Sequence, residues 1–208
     1  MKIFTFPVGE MQANCYFLTC DSETSADCAI VDPGAQADRL LDKLSDKGLT
    51  LRWILLTHVH FDHIMALEEI REKTGAPVAV HELDAPALLD PKHSLMWQYA
   101  RISTPCRPAD RLLHDGEKII LGGEEITVWH TPGHTMGSVC YETDGKLLTG
   151  DTLFRDSIGR HDFYGGDYGQ LMQSLHRLRD MEGDRRIYPG HGPSSSLSRE
   201  REYNPYLR

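Results

Sequence analysis

The stretch Trp53-Ile54-Leu55-Leu56-Thr57-His58-Val59-His60-Phe61-Asp62-His63-Ile64 decides the architecture and points to the chemistry. Its first five residues form a run too short for a helix and apolar enough for a buried strand. From Ile64 onward, Ile64, Leu67 and Ile70 fall on one helical face that stops at Gly75. Three histidines and an aspartate therefore sit where a strand gives way to a helix, and strand ends are where sites form. If the chain stays extended, His58, His60 and Asp62 project to one side by the two-residue period, while His63 turns aside as the helix begins. Imidazole nitrogen and carboxylate oxygen are donors that Zn²⁺ accepts at about 2.0–2.2 Å, so the cluster predicts a metal site.

Upstream, Lys2–Phe6, Asn14–Thr19 and Cys28–Val31 read as strands, the last closed by the turn Asp32-Pro33-Gly34. Leu40, Leu41 and Leu44 mark a helix that stops at Gly48. The segment from about Leu83 to Asp110 is less regular, and the sequence does not place its helices. After it, Gly122-Gly123 predicts a hairpin between Lys118–Leu121 and Glu125–His130, and Asp144-Gly145 joins strands Val139–Glu142 and Lys146–Thr149. Tyr168–Met181 reads as a helix and Arg186–Tyr188 as a last strand. Strands interspersed with helices in both halves predict two sheets packed on each other with helices outside, a layered α/β sandwich. At 208 residues the chain, 1–208, fits one domain with a substantial core.

Six residues cannot complete two metal sites, and three other strand ends offer donors. These are His134 after Thr131-Pro132-Gly133, Asp151 after Leu147-Leu148-Thr149-Gly150, and His191 after Tyr188-Pro189-Gly190. Alone, each would read as a turn or cap residue. Asp32 reads equally as an orienter of a histidine and as a turn former. Met96, Trp97 and Tyr99 read as core more readily than as a pocket cover, and His161 as solvent-facing. His81, His93, His114, His130 and His176 lack partners at ligand spacing.

Composition narrows the partners. Lys and Arg total 22 against 31 Asp and Glu, a net charge of −9, which opposes the phosphate neutralisation that nucleic-acid binding requires. The five cysteines contain no CxxC pair, so they read as reduced thiols, and a cytoplasmic location is expected. No run approaches the roughly 18 apolar residues of a membrane span, so no membrane partner is expected. A small-molecule substrate remains.

The pattern His58-x-His60-x-Asp62-His63, followed by His134, Asp151 and His191, resembles the metallo-β-lactamase superfamily over nearly the whole chain. Within it, Gly150-Asp151-Thr152-Leu153-Phe154-Arg155, Ile158-Gly159-Arg160 and Asp162-Phe163 are similar to the glyoxalase II group, the hydroxyacylglutathione hydrolases and their shorter bacterial relatives. The resemblance implies a four-layer αββα sandwich. It implies two divalent ions, Zn²⁺ first with iron or manganese as alternatives: one held by His58, His60 and His134, a second by Asp62, His63 and His191, with Asp151 bridging. Asp62 and Asp151 are then the catalytic carboxylates, and Arg160 grips a carboxylate of the substrate. The implied reaction is hydrolysis of a thioester such as S-lactoylglutathione. A mononuclear iron persulfide dioxygenase and a lactonase are the rivals on the same scaffold.

Overall fold

In the computed structural model, which describes residues 1–20 and 25–208, two six-stranded sheets face each other. The first comprises Lys2–Val8 (β1), Ala13–Thr19 (β2), Asp27–Val31 (β3), Thr50–Leu55 (β4), Val78–His81 (β5) and Arg111–Leu113 (β6), in sequential order. Pairing is antiparallel from β1 to β3 and parallel from β3 to β6. The parallel pairings need crossovers, which Ala37–Asp46 (α1), Phe61–Ile64 (α2), Leu67–Thr74 (α3) and Ala85–Leu88 (α4) supply. The second sheet contains Lys118–Leu121 (β7), Glu124–His130 (β8), Val139–Thr143 (β9), Lys146–Gly150 (β10), Arg186–Pro189 (β13) and Ser195–Ser196 (β14). A small ribbon, Leu153–Phe154 (β11) with Ser157–Ile158 (β12), intervenes. Tyr168–Arg179 (α5) and Leu197–Tyr203 (α6) complete the helices.

Strand alternation divides the core into three layers. In β2, Cys15 and Phe17 join Leu40, Leu44, Leu67 and Ile70 on the helix side. Their neighbours Tyr16 and Leu18 point the other way, meeting Ile126, Val128, Tyr141 and Leu148 between the sheets. In the second sheet, Cys140 and Leu147 face Leu171, Leu175 and Leu178 of α5. A sheet buried on both faces reads as a continuous apolar run, which is why all seven residues of β2 are buried. Helix, sheet, sheet and helix are thus stacked in the αββα order. The Gly122-Gly123 hairpin forms as expected, with φ of +53° and +90° matching the turn that two-residue hairpins favour.

Two expectations need correction, and a third is filled in. The helix read from Ile64 to Ile70 is two helices, because the Ala66 amide donates to the Pro33 carbonyl at 3.0 Å and the chain restarts at Leu67. The helix expected to reach Met181 ends at Arg179, and Met181 packs into the third core layer. The pattern-free part of the chain also hides structure: α4 and a π-turn at Met96–Ala100 lie within it, and the short parallel strands β5 and β6 flank it. These pieces are too short to show a period.

The ends of β4, β8, β10 and β13 converge on one edge of the sandwich, and backbone hydrogen bonds fix them there. The Val139 amide donates to Thr57 O at 2.9 Å, Gly190 N to Gly150 O at 2.8 Å, and Asn14 N to Gly190 O at 2.7 Å. The buried Tyr141 hydroxyl donates to Leu56 O at 2.7 Å, crossing between the sheets. Among the described residues, no helix is long and apolar enough to cross a membrane.

Candidate metal centre

Extension carries His58 and His60 together but stops there. His60 is extended at φ −67°, ψ 150°, and the helical turn α2 starts at Phe61. Asp62 therefore does not share the His58–His60 face, a correction to the two-residue alternation read from sequence. It turns with His63 toward a different neighbour, His191.

Two triads result. His58, His60 and His134 bring ligand atoms within 4.8 Å of one another, all three buried, and Asp62, His63 and His191 do the same. Asp151 lies between them. Its Oδ2 is 3.7 Å from His134 Nε2 and 3.6 Å from His191 Nε2, and its Oδ1 is 3.5 Å from His63 Nε2. All seven residues expected from the sequence are thus gathered at one place. A third grouping, Asp32 with His58 and His63, is geometrically close. It offers no cation site, because Asp32 Oδ2 and His63 Nδ1 are turned to each other at 3.0 Å.

Hydrogen bonds outside the cluster fix the tautomers. Thr57 Oγ1 donates to Asp32 Oδ2 at 2.6 Å, so it accepts from His58 Nδ1 at 3.0 Å. His134 Nδ1 donates to the Arg160 carbonyl at 2.7 Å, His63 Nδ1 to Asp32 and His191 Nδ1 to Met11 O at 3.2 Å. In each of the four rings Nε2 is left facing inward. Buried, and beside other histidines, His58, His60 and His134 have pKa values below the usual imidazole range, which keeps them neutral.

The donor set fits divalent cations on three observations. His58 Nε2 and Asp151 Oδ1 are buried with no hydrogen-bond partner, a costly state for polar atoms. His60 Nδ1 and His134 Nε2 stand 2.9 Å apart, and His63 Nε2 and His191 Nε2 3.3 Å, so lone pairs converge. Finally, the second triad draws positive charge. Burial alone would lower the His63 pKa, but Asp151, Asp62 and Asp32 outweigh it and raise it to about 10. The His191 pKa is raised too, against burial, by Asp62 and Asp151. The Asp62 carboxyl is in turn held far below the usual range: burial would raise its pKa, but His63 and His191 outweigh it.

The cluster opens into a cavity of about 310 Å³ whose walls include Met11, Phe61, Tyr99, Phe154, Arg160 and Phe163. Tyr99 stacks on Phe61 with centroids 5.0 Å apart, so one residue of the Met96–Tyr99 group does wall the pocket, while Met96 is core and Trp97 is exposed. Arg160 lines the cavity. Asp32 proves to be a histidine orienter as well as a turn residue, with φ +52°. His161 lies edge-on to Tyr168 outside this cavity.

The site also uses residues that the sequence did not signal. Thr57 and Asp84 hydrogen-bond around the first triad, and Gly190 comes so close to Asp151 that a Cβ there would lie 2.1 Å from Oδ1. Only the glycine immediately before a metal-type histidine could have hinted at the last of these.

Known proteins share this arrangement of chain. The sequence is similar to a probable metallo-hydrolase, YqgX, of Bacillus subtilis, with 38% identity over 210 residues covering 100% of this chain and 98% of that protein. It is also similar to the hydroxyacylglutathione hydrolase GloC of Haemophilus influenzae, 34% identical over 214 residues with 100% and 98% coverage. Among solved structures, the B3 metallo-β-lactamase BLEG-1 superposes with a TM-score of 0.92 at 36% identity, covering 99% of both chains. TTHA1623, solved in a di-iron-bound form, superposes with 0.86 at 35% identity, covering 98% of this chain and 100% of that one. Residues 8–191 match the metallo-β-lactamase superfamily, and the chain, a metallo-hydrolase with a divalent-metal site at this edge of the sandwich, belongs to that superfamily.

Proposed function

We propose that this protein hydrolyses a thioester of the hydroxyacylglutathione type at a dinuclear centre, with Zn²⁺ as the ion of first choice. The observation that carries the reading is the placement of Asp151 between two complete triads at the floor of an apolar-walled cavity. The likeness to GloC supports the thioester. Bound divalent ions would supply a water of lowered pKa and polarise the substrate carbonyl.

The chain's own residues do the rest. His58, His60 and His134 present neutral imidazoles, with the His58 and His134 tautomers fixed by hydrogen bonds, and His63 and His191 present imidazoles in the negative field of Asp62 and Asp151, which suits a dication once they release their protons. Asp151 contributes to both. Phe61, Tyr99, Phe154 and Phe163 exclude water from the acyl group, and Arg160 orients a carboxylate on the substrate. A thiol, with a pKa near 8.5 in a cysteine-type compound, leaves without a strong general acid. The overall negative charge and apolar walls suit a small substrate and disfavour a nucleic-acid or membrane partner.

The test is metal quantification on protein purified without added metal, with a panel of thioester, lactone, β-lactam and persulfide substrates. Close to two ions per chain and thioester turnover are expected. The BLEG-1 likeness makes β-lactam hydrolysis the second reading. Oxygen uptake with a persulfide by a single-iron protein would replace both.

A further inference from the structure

Asp84 is a fully buried carboxylate for which the proposed chemistry has no use. It sits at the N-terminal boundary of α4, and its oxygens face two other segments. Oδ2 accepts from Thr135 Oγ1 at 2.8 Å, and Oδ1 accepts from the Gly137 amide at 2.7 Å. The Val59 amide also faces the carboxylate and favours its charged form. Val59 lies between His58 and His60, while Thr135 follows His134. One carboxylate therefore stands between the two segments that carry the whole first triad, hydrogen-bonded to the one after His134 and facing the backbone of the one between His58 and His60.

The fit is close. A Cβ on Gly137 would lie 2.7 Å from Asp84 Cγ and 2.5 Å from Asp84 N, so glycine is what lets the loop after His134 reach the carboxylate. Ser138 Oγ completes the clasp, 2.7 Å from Thr135 Oγ1 and accepting from the Thr135 amide at 3.0 Å. The His191 ring is oriented differently, by Met11 O.

We infer that Asp84 is a positioning residue which sets the spacing between the His58–His60 segment and His134, and thereby the affinity of the first triad for its ion. The inference rests on the reading of that triad as a metal site. Asp84 donates no ligand atom: it acts by holding Val59, Thr135 and Gly137.

The experiment measures both metal affinities by competition with a chromophoric chelator for Zn²⁺, on the parent, Asp84→Asn and Thr135→Val. His134→Ala and His191→Ala serve as references that assign each affinity to its triad. Orienting partners of ligands typically contribute 10- to 100-fold in metal affinity. Asp84→Asn should therefore weaken the first-triad affinity by roughly that factor while the second stays within about 3-fold of the parent. Asp84→Asn should also change the visible spectrum of the Co²⁺-substituted first triad. Thr135→Val, which keeps the carboxylate and its two backbone donors, should show a smaller loss at the same triad, and it carries the test if Asp84→Asn does not fold. Equal losses at both triads, tracking a lower melting temperature of the metal-free protein, would reduce Asp84 to a general stability role and overturn the inference, as would unchanged affinities. If the parent binds no Zn²⁺ at all, the proposed function fails first.

Discussion

The Arg160 guanidinium lies fork to fork on the Asp162 carboxylate, Nε to Oδ1 at 2.7 Å and Nη2 to Oδ2 at 2.8 Å, while its Cζ sits 3.6 Å from the centre of the Phe163 ring. The side chain proposed to grip a substrate carboxylate thus already holds one. The pair is more than half exposed, and such pairs are worth only about 0.2–1 kcal/mol, so a substrate can exchange with Asp162 at small cost.

Replacing Arg160 by alanine should raise KM for a carboxylate-bearing thioester by roughly 5- to 50-fold, the value of a charge-assisted hydrogen bond less the lost Asp162 pair. The change in kcat should be small, because the Arg160 carbonyl that anchors His134 is backbone and survives. Asp162→Asn should lower the same KM by about 2- to 5-fold. Steady-state kinetics on a glutathione thioester and a neutral analogue check both: if Arg160→Ala treats the two substrates as the parent does, Arg160 has no part in recognition.

Asp32 holds the His63 ring and the Thr57 backbone at once, accepting from Thr57 N at 2.7 Å and facing His63 Nδ1 at 3.0 Å. Asp32→Asn should weaken the second-triad metal by about 10- to 100-fold, since the amide cannot serve all the donors that the carboxylate accepts. Competition titration reads this directly, and parental affinity at both triads would contradict it.

Gly190→Ala places a methyl 2.1 Å from Asp151 Oδ1 and 2.9 Å from His63 Cε1. Because Asp151 flanks both triads, this one substitution should weaken both metals and cost about 1–3 kcal/mol of stability. Asp151→Ala should likewise affect both, whereas His191→Ala should affect chiefly one. A crystal structure of Gly190→Ala with Asp151 unmoved would rule the mechanism out.

Burial, opposed by the Thr135, Gly137 and Val59 donors, raises the Asp84 pKa to about 6 from its ordinary 3.8. Between those values the folded protein holds a proton that the unfolded chain has released. Asp84's contribution to stability is therefore fully present below about pH 4 and is lost as pH rises through about 6, by on the order of 3 kcal/mol. Denaturant unfolding of metal-free protein from pH 4 to 8 should show Asp84→Asn gaining on the parent across this window and running parallel above about pH 7. Parallel curves throughout would show that the shift is absent.

The six residues from His58 to His63 carried the metal site in the sequence, because the ligands are contiguous and the donor types are chemically narrow. The strands around them were readable for a similar reason: two-sided burial writes apolar runs into β2, β3 and the end of β4, and Gly122-Gly123 writes the hairpin. His134, Asp151 and His191 each looked like turn residues on local grounds, and only the resemblance joined them. Contact between residues 58, 134, 151 and 191 depends on two sheets packing with their strand ends on one edge, which no local period records. Tertiary structure alone decided the break at Met65–Ala66, where a hydrogen bond to Pro33 outweighs helical periodicity, and with it the partnership of Asp62 with His191. It also decided the role of Asp84, an ordinary acid in His81-Glu82-Leu83-Asp84 until three donors from two distant segments surround it. Sequence fixes which atoms can bind a cation; the packing of distant backbone fixes where those atoms point.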